Sequence, residues 1–171
     1  MIQTCLNHIT ACLTQIGIDK HFIDDGNIND YKGDKYAGVM TEEGSTARDG
    51  RRIGTADDLV NMKRIYRRRL FVREQPFLIL LVDKDKDKVD AHLRNFLSSL
   101  GTYIKDQDNN PIDITVSNAN WMEERSKLSS RSGVEITVTF SGGIYKDQEV
   151  SLIDLSTALD FETEIGGTVD A

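Results

Sequence analysis

The chain has 171 residues, of which 39% are hydrophobic and 29% charged, and a net charge of −7. That length suits one domain burying roughly 70% of its unfolded surface, and no stretch approaches the ~18 apolar residues of a membrane-spanning helix. The acidic balance disfavours a dedicated nucleic-acid binder, and the first residues, without a basic region or a small-residue cleavage site, are not expected to be a secretory signal.

Residues 2 to 16 carry an amphipathic stripe of Ile2, Cys5, Leu6, Ile9, Cys12, Leu13 and Ile16, which predicts a helix that Gly17 ends. Its opposite face (Gln3, Thr4, Asn7, His8, Thr10, Thr14, Gln15) is polar without formal charge, which suits plain exposure or a neighbouring subunit. Cys5 and Cys12 stand about 10 Å apart along such a helix, too far for a disulfide. Both are expected to be buried thiols in a reducing cytoplasm. Residues 19 to 35 read as a polar surface loop and Tyr36 to Met40 as a short strand. Residues 41 to 58, with three glycines and no core-forming run, read as a long functional or disordered loop.

Residues 64 to 73 read as a strand with no purely apolar face, projecting beyond the core or lining a surface that another chain meets. Phe77 to Val82, six apolar residues between Pro76 and Asp83, predict a strand buried on both faces. Val89, Leu93, Phe96, Leu97 and Leu100 then recur at helical spacing, with Asp87 as the expected N-cap and Gly101 as the stop. Thr102 to Lys105 and Ile112 to Ser117 flank the turn DQDNNP and predict a hairpin. Trp121 and Met122 open an exposed linker that includes EERSKLSSRSG. Val134, Ile136, Val138 and Phe140 alternate with polar residues as a strand, which Gly142-Gly143 is expected to break. A last short strand is expected within Val150 to Leu155. The expected fold is α+β: a mostly antiparallel sheet with two helices packed on one face and long polar loops. A single domain spans 1–155, followed by an acidic tail or arm over 156–171.

Charge is unevenly placed. Lys63, Arg64, Arg67, Arg68, Arg69 and Arg73 form a basic stripe without an acid, leaving −13 for the rest of the chain. Beyond Lys146 no basic residue occurs, and the acids there include Asp160, Glu162 and Glu164. The stripe and the tail together make a candidate subunit interface, since arginine pairs bidentately with carboxylates and unlike patches join copies head to tail. The alternative is nucleic acid held by the stripe through its phosphates, with Tyr66 and Phe71 stacking on bases.

Catalytic signatures are absent. His8, His21 and His92 have no ligand-like spacing, and neither HExxH nor CxxC occurs. Asp83, Asp85 and Asp87 begin like a calcium loop, but Lys88 stands where glycine is needed and Arg94 where a bidentate Glu is needed. No phosphate-binding glycine loop and no G-x-S-x-G is present, and the pairs Glu42-Glu43 and Glu123-Glu124 are adjacent residues in polar segments. No cofactor, no metal and no enzymatic activity are expected.

The order of an amphipathic first helix, a glycine-rich polar segment, QPFLILLVD leading into VDAHLRNFLSSL, then IDITV and VEITVTFSGGIY resembles the tail terminator or tail completion proteins of bacteriophages over roughly residues 2 to 155. The resemblance implies a non-enzymatic virion protein, assembled in the host cytoplasm. It implies a ring, commonly a hexamer, that caps the tail tube and meets neck or connector proteins, with DNA passing through it. A neck or head-completion role is the near alternative. The family has no catalytic residues to carry over.

Overall fold

The computed structural model describes residues 1–23, 35–117, 119–125 and 130–152. The fold is α+β, with two helices and a mostly antiparallel sheet of eight strands among the described residues. The elements are α1 (Ile2–Gln15), β1 (His21–Ile23), β2 (Tyr36–Thr41), β3 (Ser45–Asp58), β4 (Lys63–Asp83), α2 (Lys86–Leu100), β5 (Tyr103–Lys105), β6 (Pro111–Val116), β7 (Asn120–Arg125) and β8 (Ser130–Ser151). The strand order is β1-β2-β4-β8-β6-β5, with β3 paired to β4 and β7 to β8. Only β1 and β2 are parallel among the registers seen, with Phe22 opposite Gly38. Antiparallel pairing places Val39 opposite Ile79 and Ile114 opposite Phe140.

Both helices are held by their ends as well as by their stripes. At the C-terminus of α1, Gly17 N donates to Thr14 O (2.9 Å) and Ile18 N to Leu13 O (2.9 Å). Gly17 takes a φ of 78°, which completes a Schellman motif with buried Ile18 and Leu13. At the start of α2 the cap is Asp85, whose side chain accepts from Asp87 N, and not Asp87 as the stripe alone suggested. Asp83 in turn accepts from Asp85 N (3.3 Å), so the acidic run forms two successive side-chain turns. Gly101 ends α2 with a φ of 71°, as expected.

Several segments read as loops are strands. Residues 45–58 form β3, which pairs with β4 although it has no apolar run of its own. Asn120–Arg125 is β7, paired with β8 from Asn120↔Glu135 to Arg125↔Ser130, so the expected linker begins as half of a hairpin. Gly142 and Gly143 do not end a strand: β8 runs through them to Ser151 and takes in Val150, while residues 153–155 of the expected last strand lie outside the described residues. Phe77 to Val82 is also not equally buried on its two faces. Phe77, Ile79 and Leu81 have no exposure, whereas Leu78 and Leu80 are half-buried, because both helices pack on one side of the sheet. Leu97, 39% exposed, lies outside the α2 stripe that Val89, Leu93, Phe96 and Leu100 bury. Of the loop expected over 19–35, residues 24–34 lie outside the described residues, as does the tail from 153.

The chain divides into two compact units. The first comprises Met1–Thr46 and Arg73–Gly142 and holds the core: Cys5, Ile9 and Leu13 of α1, Phe96 and Leu100 of α2, and Val39, Phe77, Ile79, Leu81, Ile136 and Phe140 of the strands. The second comprises Ala47–Val72 and the chain from Gly143.

Within the first unit, one bond shows how β4 tolerates a proline. Across the ladder Glu42 N donates to Pro76 O (3.2 Å), but Pro76 has no N–H to return. Gln75, only 3% exposed, supplies the missing donor: its Nε2 donates to Glu42 O at 2.7 Å. Gln75→Ala is therefore expected to cost about 1–3 kcal/mol, the penalty of an unmade bond at a covered polar group. A urea midpoint equal to that of the parent would show that the amide is dispensable.

Candidate interaction surface on the three-stranded sheet

The second unit is built from β3, the first half of β4 and the second half of β8. A four-residue turn joins β3 to β4. Asp58 closes it, its carboxylate accepting from Val60 N (3.2 Å), Asn61 N (3.1 Å) and Asn61 Nδ2 (2.7 Å), while Met62 takes a φ of 51°. At the same end Leu152 N donates to Met62 O (2.8 Å), which fixes the end of β8 against the turn. Facing pairs run from Lys63 with Glu149 to Arg67 with Asp147, so β4 and β8 are antiparallel here.

The basic stripe is not a free field of charge. Lys63 Nζ bonds Glu149 (2.6 Å), Arg64 grips Asp57 with both Nε (2.6 Å) and Nη2 (2.9 Å), and Arg67 grips Asp147 likewise (2.8 and 2.9 Å). Arg69 bonds Asp49 at 2.5 Å, and Asp49 also receives Arg51 at 3.1 Å. The Asp49 side chain is only 8% exposed because these two arginines close over it, not because it sits in a core. The hydrogen bonds from Arg69, Arg64 and Arg67 hold Asp49, Asp57 and Asp147 below the ordinary carboxylate range, and Lys63 and Arg64 are shifted upward by Glu149 and Asp57 respectively. Arg68 has no carboxylate partner among the described residues, and Arg73 belongs to the first unit. Asp160, Glu162 and Glu164, expected to meet the stripe from another copy, lie outside the described residues.

Alternation along the strands sorts these groups onto two faces. Lys63, Arg67 and Arg69 share one face of β4 with Asp147 and Glu149 of β8, and this face is charge-compensated. Arg64, Tyr66, Arg68 and Leu70 occupy the other, with Ile144 and Lys146 of β8. Arg52 of β3 lies over the Tyr66 ring at 5.1 Å. The alternation was legible in the sequence. The carboxylates that compensate one face were not, since all three come from β3 or β8, 20 to 86 residues away along the chain.

No described residue of this unit is buried. Ile53, Phe71 and Ile144 are 47%, 37% and 49% exposed, and Leu59, Val60 and Met62 lie open at the turn. A sheet of this size ordinarily needs one covered face.

The first unit offers less. Cys12 Sγ lies 3.7 Å from His8 Nε2, a spacing that suggests a nucleophile and its base. That nitrogen is also 2.8 Å from Leu100 O, and because a carbonyl only accepts, Nε2 carries the proton and donates it there. It is not placed to take one from the thiol, which points to Ser99 O (3.5 Å). Burial raises Cys12 and pushes Cys5 up to about 11. Both thiols are expected to label slowly near pH 8 in the native protein and quickly in denaturant. Rapid native labelling of both would put α1 in the wrong phase.

A cavity of about 310 Å³ is lined by Gln15, Ile16, Asn95, Ser98 and Ser99. Another of about 290 Å³ lies among Tyr36, Leu80, Val82, Met122 and Arg131, with the Arg131 guanidinium 6.0 Å from the Tyr36 ring. Neither gathers a set of titratable groups. Among the described residues no cluster of three or more His, Cys, Asp or Glu side chains is placed to hold a metal ion, and no helix is long and apolar enough to cross a membrane. No family model and no curated protein matches the chain.

Proposed function

We propose that the chain is a ring-forming structural protein of the bacteriophage tail terminator type, capping a tail tube and joining it to the neck. The observation that carries this reading is the second unit, a three-stranded sheet in which no described residue is buried. Ordering a residue costs roughly 1–2 kcal/mol of backbone entropy, and exposed ion pairs offset little of it. A sheet without a core is therefore in keeping with a part that is completed in an assembly. The element order that resembles the terminator family supplies the kind of assembly, and sixfold symmetry rests on that resemblance alone. The contact is heterologous, between unlike surfaces, and such contacts close into rings.

Negative-stain images of the purified protein, alone and with purified tail tubes, test the reading. Closed rings in solution, or density added at tube ends, are the expected result. Particles that remain single and leave tube ends bare would rule it out.

A further inference from the structure

We propose that one face of the three-stranded sheet, the one carrying Arg52, Tyr66, Arg68, Leu70, Ile144 and Lys146, docks onto an acidic surface of a second copy of this chain. The proposal rests on the reading above that the chain assembles with itself, and it names the contact surface. The two faces differ in what their charges have left to do. On one, Lys63, Arg67 and Arg69 already bond Glu149, Asp147 and Asp49. On the other, Arg64 is matched by Asp57, while Arg68 and Lys146 have no carboxylate partner among the described residues and Arg52 rests on the Tyr66 ring. That face therefore presents three cations around Tyr66, Leu70 and Ile144.

The occupant follows from composition. Residues 47–72 and 143–152 hold nine basic and five acidic residues, a balance of +4, so the other residues of this −7 chain carry −11. A second copy thus brings an acidic surface to a cationic one, at any concentration at which the chain is present. Leu70 and Ile144 between the cations favour a protein partner, because phosphates gain nothing from aliphatic side chains.

The test is the double charge reversal Arg68→Glu/Lys146→Glu, read by sedimentation over a wide concentration range. Hydrogen exchange across β3 and β4 establishes that the sheet is intact. Self-association is expected to weaken about 30-fold or more, the lower end of what charge changes at a desolvated contact produce, whereas Lys88→Glu on exposed α2 leaves it unchanged. Should the reversal open the sheet, the neutral pair Arg68→Gln/Lys146→Gln is read in its place, since both side chains are exposed and without carboxylate partners among the described residues. Equal association of the variant and the parent overturns the proposal. So does a variant that assembles normally but loses affinity for a single-stranded oligonucleotide, which assigns the face to nucleic acid. Rings that persist in the variant remove this contact and leave the ring reading standing. A parent protein that is monomeric to roughly millimolar concentration and leaves tube ends bare removes both.

Discussion

Replacing Phe77 by alanine is expected to remove a large part of the stability of this protein. Phe77 and Phe140 have no exposure and meet edge to face at 5.6 Å, at the centre of the core that both helices cover. Phe140 also meets His8 of α1 edge-on at 6.4 Å, so one aromatic contact links β4, β8 and α1. A Phe→Ala change at such a site costs about 3–5 kcal/mol, lost transfer energy plus the cavity left behind. Against a total of about 5–15 kcal/mol for a domain, that is enough to populate the unfolded chain near physiological temperature. Phe71 lies six residues earlier on the same strand, 37% exposed, and Phe71→Ala is expected to stay within about 0.5 kcal/mol in the isolated chain. Thermal or urea unfolding of the two variants reads the contrast. Equal shifts would mean that the boundary between the two halves of β4 is misplaced.

The second large effect concerns Arg67→Glu/Arg69→Glu. From the sequence alone this pair leaves the fold intact and blocks assembly, because the stripe reads as free positive charge. The ion pairs change that expectation. Each substitution brings a carboxylate against one already present, Asp147 for Arg67 and Asp49 for Arg69. The sheet formed by β3, β4 and β8 should open locally, with amide exchange in 47–72 rising several-fold and exchange in 77–82 unchanged. Adding Asp147→Arg to Arg67→Glu restores a pair of opposite sign and should recover much of the protection. Acidification acts in the same direction. Asp49, Asp57 and Asp147 titrate below their ordinary value in the folded sheet. Their contribution is therefore present above about pH 4 and lost as pH falls through the depressed folded values. Asp57 and Asp147 are exposed, so added salt should blunt the effect at those two pairs. Unchanged exchange in the double variant would mean that the pairs carry no structure and that the stripe acts only towards a partner.

For the first unit the chain was largely sufficient to specify its elements. A period of 3.6 over Ile2 to Ile16 and Val89 to Leu100, glycines at 17 and 101, and a period of 2 over Val134 to Phe140 are local signals. They exist because a residue's face in a helix or strand follows from counting along the chain. The hairpin turn DQDNNP was equally readable: Asp106 accepts from Asp108 N and Asn110 N within five residues. Where neighbours in space decide the matter, the sequence was silent. Residues 45–58 have a loop's composition and are a strand, because β4 supplies hydrogen bonds that no apolar pattern announces. Gly142 and Gly143 are breakers by propensity and are carried through by the ladder of β8. Pro76 sits inside a strand because the Gln75 side chain makes the bond the proline cannot. The charges show the limit most plainly. The positions of the arginines are a property of the chain, but whether each is free depends on carboxylates as much as 86 residues away. Only the packing of three strands decided which face of the sheet is neutralised and which still has charge to offer.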